Sequence, residues 1–374
     1  MERAEWSGVV FVAKNWGILR LICNIYQTPF RQQQYLPNKT SMEATNVQVL
    51  FFQHIKNSLP PHLSLVDEVA ERLNISNDSA YRRIRGEKAI AFEELQILCS
   101  HYEISLDQFL HLKSDAFIFS GKLKDDGNNV FENYLEEVLK NFTYFNSFKS
   151  KHLYWLMKDI PPFAHYQIPE LACFKFYFWM KSILHDERLR TVKFALDDER
   201  YQPYIAVSNK VVDLYHKIPV TEIWNIESLN SSLRQINFFR EAGSFKNPSE
   251  AGLLYDKLEE LINHFEKQAE VGVKFRIGSE PNSSSPSYRM FVNELILGDN
   301  TILAELDGAR LTFLNHSVLY FVATADERFN RAMFTNLDNL MKKSTMISSV
   351  GEKERSGFFN QLRDKIGQYR AMLK

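Results

Sequence analysis

Cysteine is scarce in this chain. Its 374 residues contain three, Cys23, Cys99 and Cys173. They lie far apart and are odd in number, with no CxxC or zinc-finger spacing. That excludes a disulfide framework and a thiolate metal site, and the expected setting is the reducing cytoplasm. An excess of one charge is missing too. With 45 Lys and Arg against 46 Asp and Glu, the net charge is -1, so any nucleic-acid surface has to be a local patch.

Long apolar runs are also absent. The opening stretch SGVVFVAKNWGILRLICNIY is interrupted by Lys14 and Arg20, and CFKFYFWMKSIL at 173–184 is short and charged. A membrane span needs about 20 mostly apolar residues, so no membrane partner is expected. Enzyme signatures are lacking as well. No Walker-type phosphate loop, GxSxG, HExxH or GxGxxG occurs, and the histidines show no HxH or HxxxH pairing. The acid pairs Asp197-Asp198 and Glu259-Glu260 read as solvated charge. The expectation is a protein that is not an enzyme, with no metal and no cofactor.

What is present is core-forming material. Hydrophobic residues make up 45% of the chain, with 29 Phe and 16 Tyr, so packing should hold the fold. Residues 1–41 read as an irregular or disordered extension, and Met42 opens a natural domain start. From there the apolar spacing predicts short helices at 46–58, 65–73, 77–85, 91–102 and 106–110, the last capped by Ser105. Pro60-Pro61 and Gly86 act as stops. A polar, Gly-containing linker, GKLKDDGNN, falls within 116–130.

Beyond the linker, helices are expected over 131–148, 173–184, 203–215, 226–241 and 249–271. The aromatic segment Phe174 to Trp179 reads as core, with a pocket lining as the alternative. After Val271 the character changes. Three strand-like runs are separated by GDN, DG and NHS, and Asp307-Gly308 is a strong hairpin signal. Helices at 326–343 and 352–372 close the chain. The fold expected is therefore mainly α: a five-helix N-terminal domain (42–115), a helical regulatory or dimerisation region (131–272), and an α+β region (273–374) holding a small antiparallel meander.

One segment carries a functional signal. In NISNDSAYRRIRGEK, residues 74–88, three arginines follow a capped turn and precede a glycine. LVDEVAERLNISNDSAYRRIRGEKAIAFEELQILCSHYEISLDQFL resembles the helix-turn-helix domain of the lambda-repressor-like (xenobiotic-response-element) family. AERL ends the first helix of the pair, NIS is the turn, and NDSAYRRIR stands where the family has its recognition helix. The resemblance covers about residues 46–113. It implies a bacterial, homodimeric, cytoplasmic transcription regulator that binds double-stranded DNA.

Carried over position by position, the resemblance assigns base reading to Asn77, Asp78, Tyr81 and Arg82, and phosphate contact to Ser76, Arg83, Arg85 and Lys88. Arginine suits guanine and asparagine suits adenine in the major groove; phosphate contacts give affinity and salt dependence but little sequence choice. Two positions depart from the family. Val66 stands where a phosphate-binding glutamine is common, and Arg83 stands where an apolar residue is usual. The remaining region is expected to dimerise or to sense an unidentified small-molecule or protein signal. The rival reading is a helix-turn-helix interaction scaffold that does not bind DNA.

Overall fold

The computed structural model describes residues 47–59, 63–102, 104, 106–110, 117–121, 129–295 and 298–373. The expected extension at 1–41, the Pro60-Pro61 stop, the Ser105 cap and most of the 116–130 linker lie outside the described residues. Two compact units divide the chain, Met1–Ser120 and Gly121–Lys374.

In the smaller unit the described helices are α1 (Val47–Ser58), α2 (Leu65–Leu73), α3 (Asn77–Ile84), α4 (Phe92–Tyr102) and the single turn α5 (Leu106–Phe109). Local chemistry sets their ends. Ser64 caps α2, and Asn74 ends it in the left-handed conformation, which asparagine tolerates better than most residues. Phe51, Phe52 and Ile55 of α1 lie on one face because helical neighbours recur at three and four residues. They meet Val69 and Ala70 of α2, Ala80 of α3, and Leu98 and Tyr102 of α4 in one core. The Phe109 ring of α5 closes on Phe51 edge-on at 5.5 Å.

The larger unit is built on an eight-stranded mixed sheet. Its strands are β1 (Ser120–Gly121), β2 (Lys151–Met157), β3 (Val220–Trp224), β4 (Tyr288–Val292), β5 (Thr301–Leu306), β6 (Ala309–Asn315), β7 (Phe321–Thr324) and β8 (Thr345–Met346), in the spatial order β1-β7-β6-β5-β2-β3-β4-β8. β5, β6 and β7 form the expected antiparallel meander. Asp307 and Gly308 turn it with positive φ of 46° and 90°.

The sheet nonetheless corrects the expected fold. β2, β3 and β4 run parallel, with Leu153 opposite Val220 and Val220 opposite Tyr288. The segment 131–272, expected to be helical, therefore contributes β2 and β3 to a parallel part of the sheet, and its helices serve as the long crossovers that parallel strands require. Every residue of β3 is buried. A strand buried on both faces shows no alternation of polar and apolar residues, which is why VTEIW gave no strand signal.

The crossovers hold α7 (Pro162–His165), α8 (Pro169–Phe178) and α9 (Gln202–Tyr215) between β2 and β3, then α10 (Asn230–Glu241) and α11 (Glu250–Val271) between β3 and β4. α6 (Val130–Asn146) precedes β2, and α12 (Glu327–Lys342) and α13 (Glu352–Ala371) flank β8. The 173–184 helix is split, because α8 passes into a π-helical turn at Trp179–Ile183.

Strand alternation assigns the two faces. Leu156, Ile223, Phe291 and Leu303 pack under Leu337 and Met341 of α12. Their neighbours turn the other way: Trp155 meets Phe163 and Tyr215, Trp224 meets Phe265, and Phe313 meets Phe145. Glu222 is fully buried on β3 but satisfied. Its carboxylate accepts from the Tyr215 hydroxyl at 2.9 Å, and from Trp224 Nε1 and the Tyr288 hydroxyl at 2.8 Å each.

Candidate nucleic-acid interface

The candidate site is α3 with the turn before it and the loop behind it. The turn is short because Asn74 is left-handed and the Ile75 N–H reaches back to the Ala70 carbonyl at 3.0 Å. Ser76 is extended, and its hydroxyl accepts from the Ser79 N–H at 3.3 Å, capping α3. That removes one orphan donor at the helix start. Ser76 is thus placed as a cap.

Three residues seat α3. Ala80 is fully buried and Ile84 is packed against the core. The third is Arg83, 5% exposed. Its Nε donates to Glu94 Oε2 at 2.8 Å, its Nη2 to Glu94 Oε1 at 2.6 Å, and its Nη1 to the Ser79 carbonyl at 3.0 Å. This two-pronged geometry is the strong form of an arginine–carboxylate bond. The Arg83 hydrogen bond holds the Glu94 carboxyl below its usual range, against the opposing effect of burial. Arg83 is therefore placed in the seat of α3 and not on a phosphate-facing surface. Its guanidinium packs inward with the Glu94 carboxylate, beside Ala80 and Ile84.

The outward face keeps the rest. Asn77, Asp78, Tyr81, Arg82, Arg85 and Lys88 are exposed. Asn77 donates its amide to Asp67 Oδ1 at 2.8 Å, which fixes it against the first turn of α2. Arg85 lies 5.5 Å from the Tyr81 ring centre and pairs with Glu87 at 3.3 Å, so its charge is partly offset. Among the described residues neither Arg82 nor Lys88 has an ion-pair partner, and Asp78 has none either.

Two residues that sequence reasoning missed hold the loop. Gln48 of α1 donates to the carbonyls of Arg83 and Lys88 at 2.7 Å each, and its carbonyl accepts from the Ile90 N–H at 3.0 Å. Glu94 also accepts from the Ala91 N–H at 3.0 Å, tying the loop to α4. Glu94 had a faint signal as an acid in the first turn of its helix. Gln48 had none, since its partners lie about 40 positions away. Val66 is partly buried against the core.

The described residues of the larger unit offer no comparable array. Its open groove of about 970 Å³ is walled mainly by charged residues of α11 and the 275–281 loop. Arg370 there is already paired with Asp256 and Glu259. Cys173 is buried, which pushes its thiol up to about 12. Among the described residues no group of three or more His, Cys, Asp and Glu converges to hold a metal ion, and no helix is long and apolar enough to cross a membrane. Comparison with protein-family models, curated proteins and solved structures returns no match for this chain.

Proposed function

We propose that the smaller unit is a helix-turn-helix module that binds double-stranded DNA in a sequence-specific manner. The chain then acts as a cytoplasmic transcription regulator, with the larger unit sensing a signal or mediating dimerisation. One observation carries this reading: α3 is held from behind by Ala80, Ile84 and the Arg83–Glu94 pair, and it presents Asn77, Asp78, Tyr81 and Arg82 along one solvent-facing side. A recognition helix needs that combination, because base contacts at its N-terminal half demand a fixed register.

The assigned roles follow from the chemistry of each side chain. Arg82 has no ion-pair partner among the described residues and is long enough to fork onto a guanine edge. Asp78 accepts only, so it suits a cytosine amine. Tyr81 offers a flat ring and a hydroxyl beside them. Arg85 and Lys88 sit behind the helix end, suited to phosphate. A homodimer is expected, because one small module covers only a half-site. The test is binding of the full chain to duplex DNA across a salt series. Affinity should fall steeply with salt, since each neutralised phosphate releases condensed counterions. A flat response between low and physiological salt overturns the proposal.

A second reading has its own support. Withdrawing Arg83 and pairing Arg85 with Glu87 thins the positive charge, while Phe92 at the start of α4 is 80% exposed and Tyr81 is 47% exposed. Aromatics at the surface suit a protein partner. Phe92→Ser should then abolish partner assembly and leave DNA binding intact if the first reading holds.

A further inference from the structure

The buried joint between α7, α8 and α10 contains an unusual chain of polar groups. Lys175 of α8 is 6% exposed. Its amine donates to Ser232 Oγ at 2.9 Å and to Gln235 Oε1 at 2.7 Å, both on α10. Ser232 Oγ lies 3.0 Å from Nε2 of His165 on α7, and His165 Nδ1 lies 3.3 Å from the Pro161 carbonyl.

The direction of this chain follows from its ends. The Pro161 carbonyl only accepts, so His165 Nδ1 carries the hydrogen. In a neutral ring Nε2 then accepts, and the Ser232 hydroxyl is the donor to it. The Ser232 oxygen is left to accept from Lys175. An ammonium has three N–H donors and a neutral amine has two. Among the described residues Lys175 meets two acceptors, both uncharged, and no carboxylate lies within ion-pair distance. The inventory matches an amine without its extra proton.

The charged groups around it do not alter this balance. Glu170, at the start of α8 itself, lies 3.8 Å from Lys257 of α11, which it shares with Glu260 at 3.0 Å. Arg234 of α10 points to solvent. α9 contributes no charge that acts on Lys175. Asp159, after β2, is the one group whose field favours the charged form, and burial outweighs it. His165 faces Lys175 through Ser232 and is itself buried.

We propose that the Lys175–Ser232–His165 chain is a proton-responsive joint: it locks α8 against α10 while the lysine amine is uncharged, and acidification loosens that contact by adding a proton that has no acceptor. The proposal is independent of the DNA-binding reading. Burial lowers the Lys175 amine to about 7 and holds His165 well below its ordinary value. The folded chain then binds fewer protons than the unfolded chain between about pH 7 and the ordinary lysine value of about 10.4. Stability rises with pH across that window.

The test compares urea unfolding of the full chain and of Lys175→Met, which keeps the length of the side chain and removes its titration. Between pH 7 and 9 the unfolding constant of the unaltered protein should fall by up to about tenfold per pH unit relative to the variant. Parallel curves overturn the proposal. The Nζ resonance of Lys175 in the unaltered, ¹⁵N-lysine-labelled chain gives the answer even where Lys175→Met does not fold. A neutral-amine signal at pH 8 supports the proposal, and an ammonium signal persisting at pH 9 overturns it.

Discussion

Arg83 in the smaller unit and Lys175 in the larger one are both cations withdrawn from water, 5% and 6% exposed. Arg83 takes a carboxylate with it and stays charged. Lys175 takes a serine hydroxyl and an amide, and the balance moves toward the uncharged form. The difference follows from the side chains. A guanidinium cannot shed its proton in a protein, so burying it requires a matched fork such as Glu94. An amine can shed its proton and needs only acceptors. The smaller unit thereby gains a rigid surface helix, and the larger unit gains buried polar groups that respond to their surroundings.

Glu222 gives the largest expected effect. Glu222→Leu would leave the Tyr215, Trp224 and Tyr288 donors unsatisfied inside the sheet. At about 1–3 kcal/mol for each orphaned group, the larger unit should lose at least about 3 kcal/mol of stability, read as an earlier urea midpoint for its unfolding step. An unchanged midpoint would mean that those hydroxyls find other acceptors.

Arg83→Ala comes next and sharpens the contrast directly. Removing one partner of a mostly buried ion pair costs about 3 kcal/mol, and it should fall on the smaller unit alone. The wild-type pair is also acid-sensitive. Because the folded Glu94 carboxyl is lowered, its contribution is present above the ordinary glutamate value of about 4.3 and lost as pH falls through the folded value. Thermal melts of wild type and Arg83→Ala should therefore converge toward low pH. Divergence there would contradict the assigned role. Ser76→Ala should cost less, about 1 kcal/mol, through loss of the α3 cap. Amide exchange in the first turn of α3 reports it.

The legible part of the structure was set by local chemistry. Ser76, Gly86 and the Asp307-Gly308 turn act within a few residues of themselves, so the helix pair and the meander could be read directly. The helical spacing of Phe51 and Ile55 marked the inner face of α1 for the same reason. What escaped depends on partners far away in sequence. Val220–Trp224 is a strand because two parallel neighbours, from 153–157 and 288–292, lie on either side of it. Its Glu222 looks exposed until Tyr288 is folded over it. The site shows the same division. Arg83 belongs to a basic run, and only Glu94, eleven residues away, shows that it is part of the seat and not of the surface.

That reassignment decides which variants test DNA binding. Replacing all three arginines would damage the fold, so the informative variants are Arg82→Ala and Lys88→Ala, which leave the Arg83–Glu94 pair in place. The measurement is selection of bound fragments from a random duplex pool by the full chain, followed by affinities of the two variants for the selected and random DNA. A palindromic motif is expected. Arg82→Ala should lose about 1–3 kcal/mol of discrimination at one base position, and Lys88→Ala should weaken all sequences alike and lower the salt slope by about one. No enrichment at low salt, or equal losses for both variants on every sequence, would contradict sequence-specific binding.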